Sequence, residues 1–478
     1  MRKSYVYAVF LFLFSTPALY AQLDHGQGEM AGEVTQTSVI LQSRLTKGTE
    51  LVNGDLPGHS GWAQFEISRS STDFSFAQVT GWQEAFAEDD HIIKAQIDLL
   101  APDTQYYYRL VYGPTPKSAT RGNVCSFHTL PKPDVVKPMR FVIVTGMSYH
   151  QFHNGKKAYQ GEDKKRGYPA LEAIESLKPN FFIATGDNVY YDHPAKPAAK
   201  TSKQMRTKWH EQFAQPRFAH LFDQVPTYWL KDDHDYRYDD ADATGSRSPS
   251  HKKGLAIFKE QVPVTNPHDD TALTYRTHRL GKLVQIWLTE GRDYRSPNTT
   301  PDGPQKTLWG EKQKEWLKRT LLKSDAPFKF LISPTPMVGP DAIHKKDNHA
   351  NLKGFRHEGD AFFTWLYRNK FYDQNFYILC GDRHWQYHAI HPSGFEEFSC
   401  GALVDANSRM GINPGDHQSS DPNRLINHKY TSAEPSGGFL MVDVTPNENG
   451  TTTAALIFYD EKGTELYRVE KTAQIDPK

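Results

Sequence analysis

The chain has few cysteines and no excess of charge of either sign. Cys125, Cys380 and Cys400 are the only cysteines among 478 residues. Because the number is odd, at least one thiol stays unpaired; Cys380 and Cys400 could pair, or all three could be buried free thiols. Lysine plus arginine and aspartate plus glutamate each number 56. This balance predicts no nucleic-acid partner, which would favour a basic face.

Long apolar runs are also absent. Residues 6–14 form an apolar segment too short to span a bilayer, and no later run approaches about 18 apolar residues. Arg2 and Lys3 before this segment, and residues 17–21 after it, are typical of a secretory signal peptide spanning residues 1–21. We therefore expect a protein without a membrane span that is secreted or periplasmic after signal removal. Nothing in the sequence indicates its oligomeric state.

Residues 22–135 are predicted to form an all-β domain. Runs rich in β-branched and aromatic residues occur at 35–44, 62–67, 92–99 and 106–112. Gly, Pro, Asp and Ser separate them, which is typical of a β-sandwich. Residues 100–109 and 127–131 resemble a corner and the closing strand of fibronectin type III-like domains. We find no catalytic chemistry in this part, and the Pro- and Lys-rich residues 131–138 are predicted to be a linker.

Residues 136–478 show a different pattern, in which strands and helices alternate. Strands are predicted at 141–145, 181–185, 227–230, 283–288, 328–332 and 376–379. Helices are predicted at 169–177, 203–222 with a break near Pro216, 255–262, 311–322 and 360–368. This alternation indicates an α/β fold with a largely parallel or mixed sheet. The first strand, helix and strand form a βαβ unit, so its two strands should be parallel neighbours.

Acidic and histidine side chains come directly after four of these strands. They occur at residues 186–192, 232–235, 290–295 and 380–384. In open α/β sheets, ligands bind at the carboxyl ends of the strands, so these side chains should converge. Converging carboxylates repel one another unless cations lie between them. The sequence therefore predicts a metal site.

With these motifs in order, the chain resembles the PhoD-like alkaline phosphatases, a branch of the calcineurin-type metallophosphoesterases. The matching runs are Gly186-Asp-Asn-Val-Tyr-Tyr-Asp192, Asp232-Asp-His-Asp235, Arg292-Asp-Tyr-Arg295, the 310–317 helix with Gln313 and Trp316, and Gly381-Asp-Arg-His384. Lys231 stands where that family usually has Trp, Glu290 where it has Asp, and Trp309 where it has Leu. The resemblance implies layered β-sheets with flanking helices behind an N-terminal sandwich.

The resemblance also implies roles for individual residues. Asp187 would bridge two metal ions, and the other ligands would be Tyr190, Asp233, Asp382 and His384. Two or more ions are expected, with Ca, Fe, Zn or Mn as candidates. His234 would protonate the leaving group. Arg292 and Arg295, or less favourably Arg383, would neutralise charge on the ester oxygens.

The first motif departs from the family. After its first strand the family usually has a cysteine that binds iron, whereas this chain reads Thr145-Gly-Met-Ser148. Met147 is a poor ligand for a hard cation. Ser148, His150 or His153 could take the ligand's place.

We expect a secreted, metal-dependent hydrolase of phosphate esters, acting on a small-molecule or saccharide ester. One alternative is a sulfate-ester hydrolase of the same fold, for which the altered first motif and the many aromatic residues would suit a sugar sulfate. Another is a glycan-binding surface protein with a decayed catalytic site. Long polar insertions at 239–253, 341–357 and 407–427 are expected to shape the pocket rim.

Overall fold

The computed structural model describes residues 23–266, 269 and 271–475. The predicted signal peptide, residues 1–21, lies outside the described residues. Within the described part of the chain, no helix has the length and apolar character needed to cross a membrane.

The N-terminal part is built from β-strands. They are β1 (Leu23–Asp24), β2 (Glu29–Gly32), β3 (Val39–Arg44), β4 (Thr46–Lys47), β5 (Trp62–Ser68), β6 (Gln78–Val79), β7 (Gln83–Glu84), β8 (Ile92–Ile97), β9 (Gln105–Gly113), β10 (Thr120–Arg121) and β11 (Cys125–His128). The predicted strands coincide with β3, β5, β8 and β9. One sheet joins β5, β6, β7, β9, β10 and β11, and β2, β3 and β8 pair in another. Apolar side chains of both sheets, such as Leu41 and Phe65, share one core, which makes a sandwich.

The remaining residues form the larger part of the fold. Its strands are β12 (Met139–Val144), β13 (Phe181–Ala184), β14 (Thr227–Trp229), β15 (Arg276–Leu280), β16 (Val284–Leu288), β17 (Phe328–Ser333), β18 (Phe376–Cys380), β19 (Gln386–Ile390), β20 (Glu396–Cys400), β21 (Asn427–Thr431), β22 (Gly438–Pro446), β23 (Thr451–Asp460) and β24 (Glu465–Gln474). Its helices are α1 (Tyr149–Asn154), α2 (Gly161–Arg166), α3 (Pro169–Ser176), α4 (Ser202–Phe213), α5 (Pro216–Phe222), α6 (His251–Gln261), α7 (Gly310–Lys323) and α8 (Arg356–Arg368).

Two mixed sheets pack face to face. One has the order β24-β23-β22-β12-β13-β14-β2-β3-β8, and the other β15-β16-β17-β18-β20-β19-β21. Phe141 of the first sheet meets Phe330 of the second, with ring centroids 5.8 Å apart. Helices cover the outer faces: Trp209 of α4 packs against Trp229, and Leu317 of α7 lies in the cluster on the other side. The expected layered α/β architecture is thereby confirmed.

The predicted βαβ unit is also confirmed. β12 and β13 pair in parallel, with Phe141 opposite Phe181. The predicted helix corresponds to α3, the last of three helices between these strands; it begins with Pro169 in its first turn and buries Leu171 and Ile174. Because β13 pairs in parallel with β14, and β16, β17 and β18 with one another, the loops after these strands leave each sheet at one edge.

The N-terminal part continues the larger of these sheets. β2 pairs in parallel with β14 through Gly32 and Thr227, and the backbone NH of Glu33 donates to the Thr227 carbonyl at 3.1 Å. This pairing covers an edge of β14 that would otherwise present unpaired backbone groups. A domain boundary near residue 135 stays a prediction, since one hydrogen-bonded sheet crosses it.

Candidate active site

The loop after β13 places Asp187 at the centre of the site. Gly186 and Asp187 both have positive φ, at 112° and 54°. A Cβ on Gly186 would lie 2.5 Å from the Cβ of Asp232, so only glycine lets the two loops meet. Asp187 is 1% exposed; its Oδ2 accepts a hydrogen bond from the Tyr190 hydroxyl at 3.0 Å. Its Oδ1 is buried and has no hydrogen-bond partner.

The loop after β18 brings Asp382 and His384 to the same place. Nε2 of His384 lies 3.1 Å from Oδ2 of Asp187 and 3.2 Å from the Tyr190 hydroxyl. Burial, with the nearby charges of Arg409 and His234, lowers the pKa of His384 well below its ordinary value. The imidazole is therefore neutral, which is the form that binds a metal.

The loop after β14 supplies Asp233 and His234. Ligand atoms of Asp187, Asp233 and His234 lie within 4.8 Å of one another. Nδ1 of His234 hydrogen-bonds Oδ1 of Asp192 at 2.7 Å. Burial opposes a charge on His234, but Asp233, Asp187 and Asp192 raise its pKa well above the ordinary value. Asp192 thus holds the ring in place, and the neighbouring carboxylates favour its protonated form.

The carboxylates of the site outnumber the cations that touch them. Burial, with the charges of Asp233 and Asp235, raises the pKa of Asp187 well above its ordinary value. Burial likewise raises the pKa of Asp382 to about 6, with Asp347 adding to the effect. Crowded carboxylates with a partnerless buried oxygen fit a metal centre, because cations would neutralise this repulsion.

The two predicted arginines make structural contacts. Arg292 is fully buried; its Nε donates to Oδ1 of Asp232 at 2.7 Å and its Nη1 to the Ala241 carbonyl at 2.9 Å. Its Nη2 lies 3.9 Å from Oδ2 of Asp233. Arg295 donates to the Gly291 carbonyl at 2.6 Å. Contact of either arginine with a substrate therefore stays a prediction.

Lys345 and Arg383 are two cations at the edge of the site. Lys345, in the 341–357 insertion, pairs with Asp240 and lies 3.5 Å from Asp239. Its side chain is 23% exposed, whereas that of Arg383 is 4% exposed and pairs with Asp341 at 2.5 Å. Lys345 is the more accessible of the two to an anion in solution.

Sequence reasoning gave no role to three residues that the fold brings to the site: Asp192, Lys345 and Asn407. Asn407 donates to the Tyr190 hydroxyl at 2.9 Å and to the Gly146 carbonyl at 3.0 Å. Asp192 is the last residue of the motif after β13, and its position in that motif was the sequence feature that could have identified it. Lys345 and Asn407 lie in polar insertions whose composition names no ligand.

The altered first motif supports the site through one backbone NH and one side-chain hydroxyl. The NH of Met147 donates to the Asp187 carbonyl at 2.9 Å, and Thr145 Oγ1 donates to the Gly186 carbonyl at 2.9 Å. Ser148 caps the N-terminus of α1. Among the described residues, no metal-ligand cluster contains His150 or His153. Substitution by any of these three for the family cysteine stays a prediction.

The 310–317 helix motif holds the loop after β16. Gln313 of α7 accepts a hydrogen bond from the NH of Glu290 at 2.8 Å and donates to its carbonyl at 2.9 Å. This pair of contacts replaces the strand pairing that the backbone has lost at this point, so the glutamine positions the loop.

Comparisons with known proteins agree with this geometry. A sequence model described as PhoD-like phosphatase matches residues 142–451, and one described as PhoD-like phosphatase, N-terminal domain, matches residues 17–131. Alkaline phosphatase D of Bacillus subtilis (strain 168) is 24% identical over 331 residues, which are 64% of this chain and 54% of that protein. The match therefore spans about half the length of that relative.

Two solved structures share the fold. A structure of PhoD superposes with a TM-score of 0.69 at 18% identity, covering 95% of this chain and 90% of that one. The purple acid phosphatase PPD1 from yellow lupin (Lupinus luteus) seeds superposes with a TM-score of 0.58 at 12% identity, covering 94% of this chain and 74% of that one.

Proposed function

Since this chain belongs to the PhoD-like phosphatase family, we propose that it is a metal-dependent hydrolase of phosphate esters. One observation carries the proposal: Oδ1 of the buried Asp187 has no hydrogen-bond partner, within a cluster whose ligand atoms lie within 4.8 Å of one another. A buried carboxylate oxygen without a partner is costly unless a cation binds there.

Asp187, Tyr190, Asp233, Asp382 and His384 would hold the metal ions, two or more in number, with Ca, Fe, Zn and Mn as candidates. When bound, such ions supply Lewis acidity for the ester oxygens and for the attacking water. The site has no cysteine at the position of Met147, so we expect harder ligands, and a metal preference shifted away from thiolate-binding ions.

His234 is the proton donor for the leaving group. Asp192 fixes its Nδ1, which leaves Nε2 to donate. The Nε2 atom lies 3.9 Å from Oδ1 of Asp239, a residue with a side chain 63% exposed, so it faces the open side of the site. A protonated imidazole at this position can reach the oxygen that departs.

Lys345 binds the anionic ester at the rim. Its ammonium group is partly exposed and shares the field of Asp239 and Asp240, which keeps it charged. Arg292 has an indirect role: it is the buried counter-ion of Asp232 and holds the loop that carries Asp233.

The test compares chromogenic phosphate monoester, phosphate diester and sulfate ester substrates, before chelation, after it and after metal add-back. Asp187→Asn removes one charge without changing shape and should abolish metal-restored cleavage. Asp98→Asn, at an exposed position of the N-terminal part, is the matched control and should retain it. Preference for the sulfate ester would favour the alternative hydrolase, and no cleavage of any ester by metal-loaded protein would favour a binding role.

We also propose export through residues 1–21. Mass spectrometry of the protein made in a secreting host should find Gln22 at the N-terminus; an intact Met1 would contradict the signal-peptide proposal.

A further inference from the structure

A second group of metal-ligand side chains lies far along the sheet from Asp187, where the N-terminal strands meet α5. It consists of Glu29 on β2, Cys125 at the start of β11 and Asp223 at the C-terminal end of α5. One ligand atom from each of the three lies within 4.8 Å of the others. The group thus gathers a thiol and two carboxylates from three separate elements.

The distances agree with those between ligands of one cation, and the thiol cannot satisfy both carboxylates by hydrogen bonds. Sγ of Cys125 lies 3.7 Å from Oε2 of Glu29 and 3.4 Å from Oδ1 of Asp223. A thiol has one proton, so it can donate to only one of them. In a tetrahedral zinc site, with Zn–S about 2.3 Å and Zn–O about 2.0 Å, the sulfur and oxygen ligands are about 3.5 Å apart.

Glu29 pairs with His25, whose Nδ1 lies 2.8 Å from its Oε1, but among the described residues Asp223 forms no ion pair. Glu29 is 1% exposed, and a ligand oxygen of Asp223 lies within 4.8 Å of one of its oxygens. Tyr108 is the cross-strand neighbour of Cys125 on β9; it is fully buried, and its hydroxyl has no hydrogen-bond partner. Cys125, Glu29 and Asp223 all interact with that hydroxyl, so it faces the group. Buried polar atoms without partners call for a ligand.

An outer set of contacts fixes Glu29 with one oxygen free. Its Oε1 accepts a hydrogen bond from Ser43 Oγ at 3.0 Å and lies 2.8 Å from Nδ1 of His25. The His25 ring packs edge-on against Tyr112, with centroids 4.7 Å apart. Oε2 is left facing Cys125. Supporting contacts that orient one ligand oxygen in this way are typical of metal sites.

We propose that Glu29, Cys125 and Asp223 bind one divalent cation of the Zn²⁺ type, separate from the catalytic ions. A thiolate with carboxylates selects a borderline-soft cation over Ca²⁺ or Mg²⁺. A water would complete the coordination. The cation joins β2 and β11 to α5, next to the contact in which the NH of Ser126 donates to the Asp223 carbonyl at 2.7 Å. Its role is structural: it holds the N-terminal part against the larger one.

Cobalt distinguishes this site from the catalytic one, because no thiol is among the proposed catalytic ligands. The mature chain is stripped with a chelator, loaded with Co²⁺, and assayed for bound cobalt per chain and for a thiolate-to-cobalt charge-transfer band in the near ultraviolet. Wild type and Asp187→Asn should both show the band. Cys125→Ser should lose the band and one equivalent of cobalt. Cys400→Ser is the matched control: this buried thiol lies beside Thr185 near Asp187, and its replacement should leave the band intact.

A second measurement tests the proposal even if the Cys125→Ser protein fails to fold. In wild type, Zn²⁺ should slow alkylation of Cys125, followed by peptide mass spectrometry, and Asp223→Asn should remove that protection. Cobalt-loaded wild type without the band, a band that survives Cys125→Ser, or alkylation of Cys125 unaffected by Zn²⁺ would overturn the proposal. None of these readouts depends on catalytic activity.

Discussion

The ammonium group of Lys231 lies 2.6 Å from Oε2 of Glu290, and both side chains are 1% exposed. These are two of the positions at which the sequence departs from the family it resembles, and the fold pairs them with each other. Asp293 is a second carboxylate partner of the lysine, with its Oδ1 2.5 Å from Nζ of Lys231. Burial opposes the charge, but Asp293 and Glu290 raise the pKa of Lys231. The two departures therefore form one buried ionic unit beneath the active-site loops.

Lys231→Met should destabilise the protein strongly, because it leaves two buried carboxylates without their cation. Breaking a buried ion pair on one side costs roughly 3–5 kcal/mol. Denaturant unfolding measures the change. Adding Glu290→Gln to Lys231→Met should recover part of the loss, since one of the stranded charges is removed. Equal stability of wild type and Lys231→Met would show that the pair contributes nothing.

His234→Asn should reduce kcat by roughly 10²–10⁴-fold for an alkyl phosphate, the range that a positioned proton donor contributes. The loss should be much smaller for a nitrophenyl phosphate, whose leaving group needs no proton. Asp192→Asn should show the same difference between the two substrates with smaller losses, because a neutral amide replaces the carboxylate that pairs with Nδ1 of His234. Comparing kcat on the two substrates is the measurement. Equal losses on both would assign His234 to metal binding instead.

Lys345→Ala should raise KM for anionic esters about tenfold with little change in kcat, as expected for loss of roughly 1.4 kcal/mol of charge-assisted contact. Lys345→Arg should restore most of it. The neighbouring Lys346 is exposed and serves as the matched control, so Lys346→Ala should leave KM unchanged. The measurement is KM from steady-state kinetics at low and at high salt. The difference between wild type and Lys345→Ala should shrink at high salt, since added salt weakens an ionic contact at the surface. Equal KM values for Lys345→Ala and Lys346→Ala would exclude the rim role.

Glu358 should make the fold sensitive to acid. It accepts hydrogen bonds from the backbone NH of Leu308 and Trp309 and lies 3.0 Å from Nε2 of His349. Burial opposes its charge, but these contacts, chiefly with His349, lower its pKa to about 2. The stabilisation is therefore complete above the ordinary glutamate pKa of about 4.3 and is lost as pH falls toward about 2, with a size of roughly 3 kcal/mol.

Unfolding measured from neutral pH down to about pH 2 tests this effect. Glu358→Gln should be less stable at neutral pH and should show a flatter dependence on pH in the acidic range. Glu311→Gln, at an exposed position on α7, is the control and should behave as wild type. Parallel curves for wild type and Glu358→Gln would contradict the assignment.

Much of the site could be predicted from the sequence because its motifs come directly after strands. Asp187 and His384 lie within a few residues of β13 and β18, which belong to the two sheets that pack face to face. The loops that leave these two sheets meet, and they bring the side chains to 3.1 Å across 197 positions. Asn407 and Lys345 belong to long loops, whose paths depend on packing against the rest of the fold. No local pattern encodes such a path.

The arginines also show what the sequence could not predict. The sequence placed Arg292 near the carboxylates, and it does lie beside Asp232. Whether its guanidinium faces a substrate or a buried carboxylate depends on which side of the loop is covered. No prediction covered the strands after residue 384, although β22 and β23 are buried along most of their length.

By itself, the sequence determined the alternation of strands and helices, the order of the metal-ligand motifs and the resemblance to a family. These are local properties, set by residue periodicity and by the polar residues at the end of each strand. Only the tertiary structure decided that β2 extends the sheet that contains β13. It also decided that Lys231 pairs with Glu290, and that Glu29, Cys125 and Asp223 meet. Each of these contacts joins residues far apart in the chain, and burial fixes them, because charged and polar groups removed from water must find partners wherever the packed fold provides them.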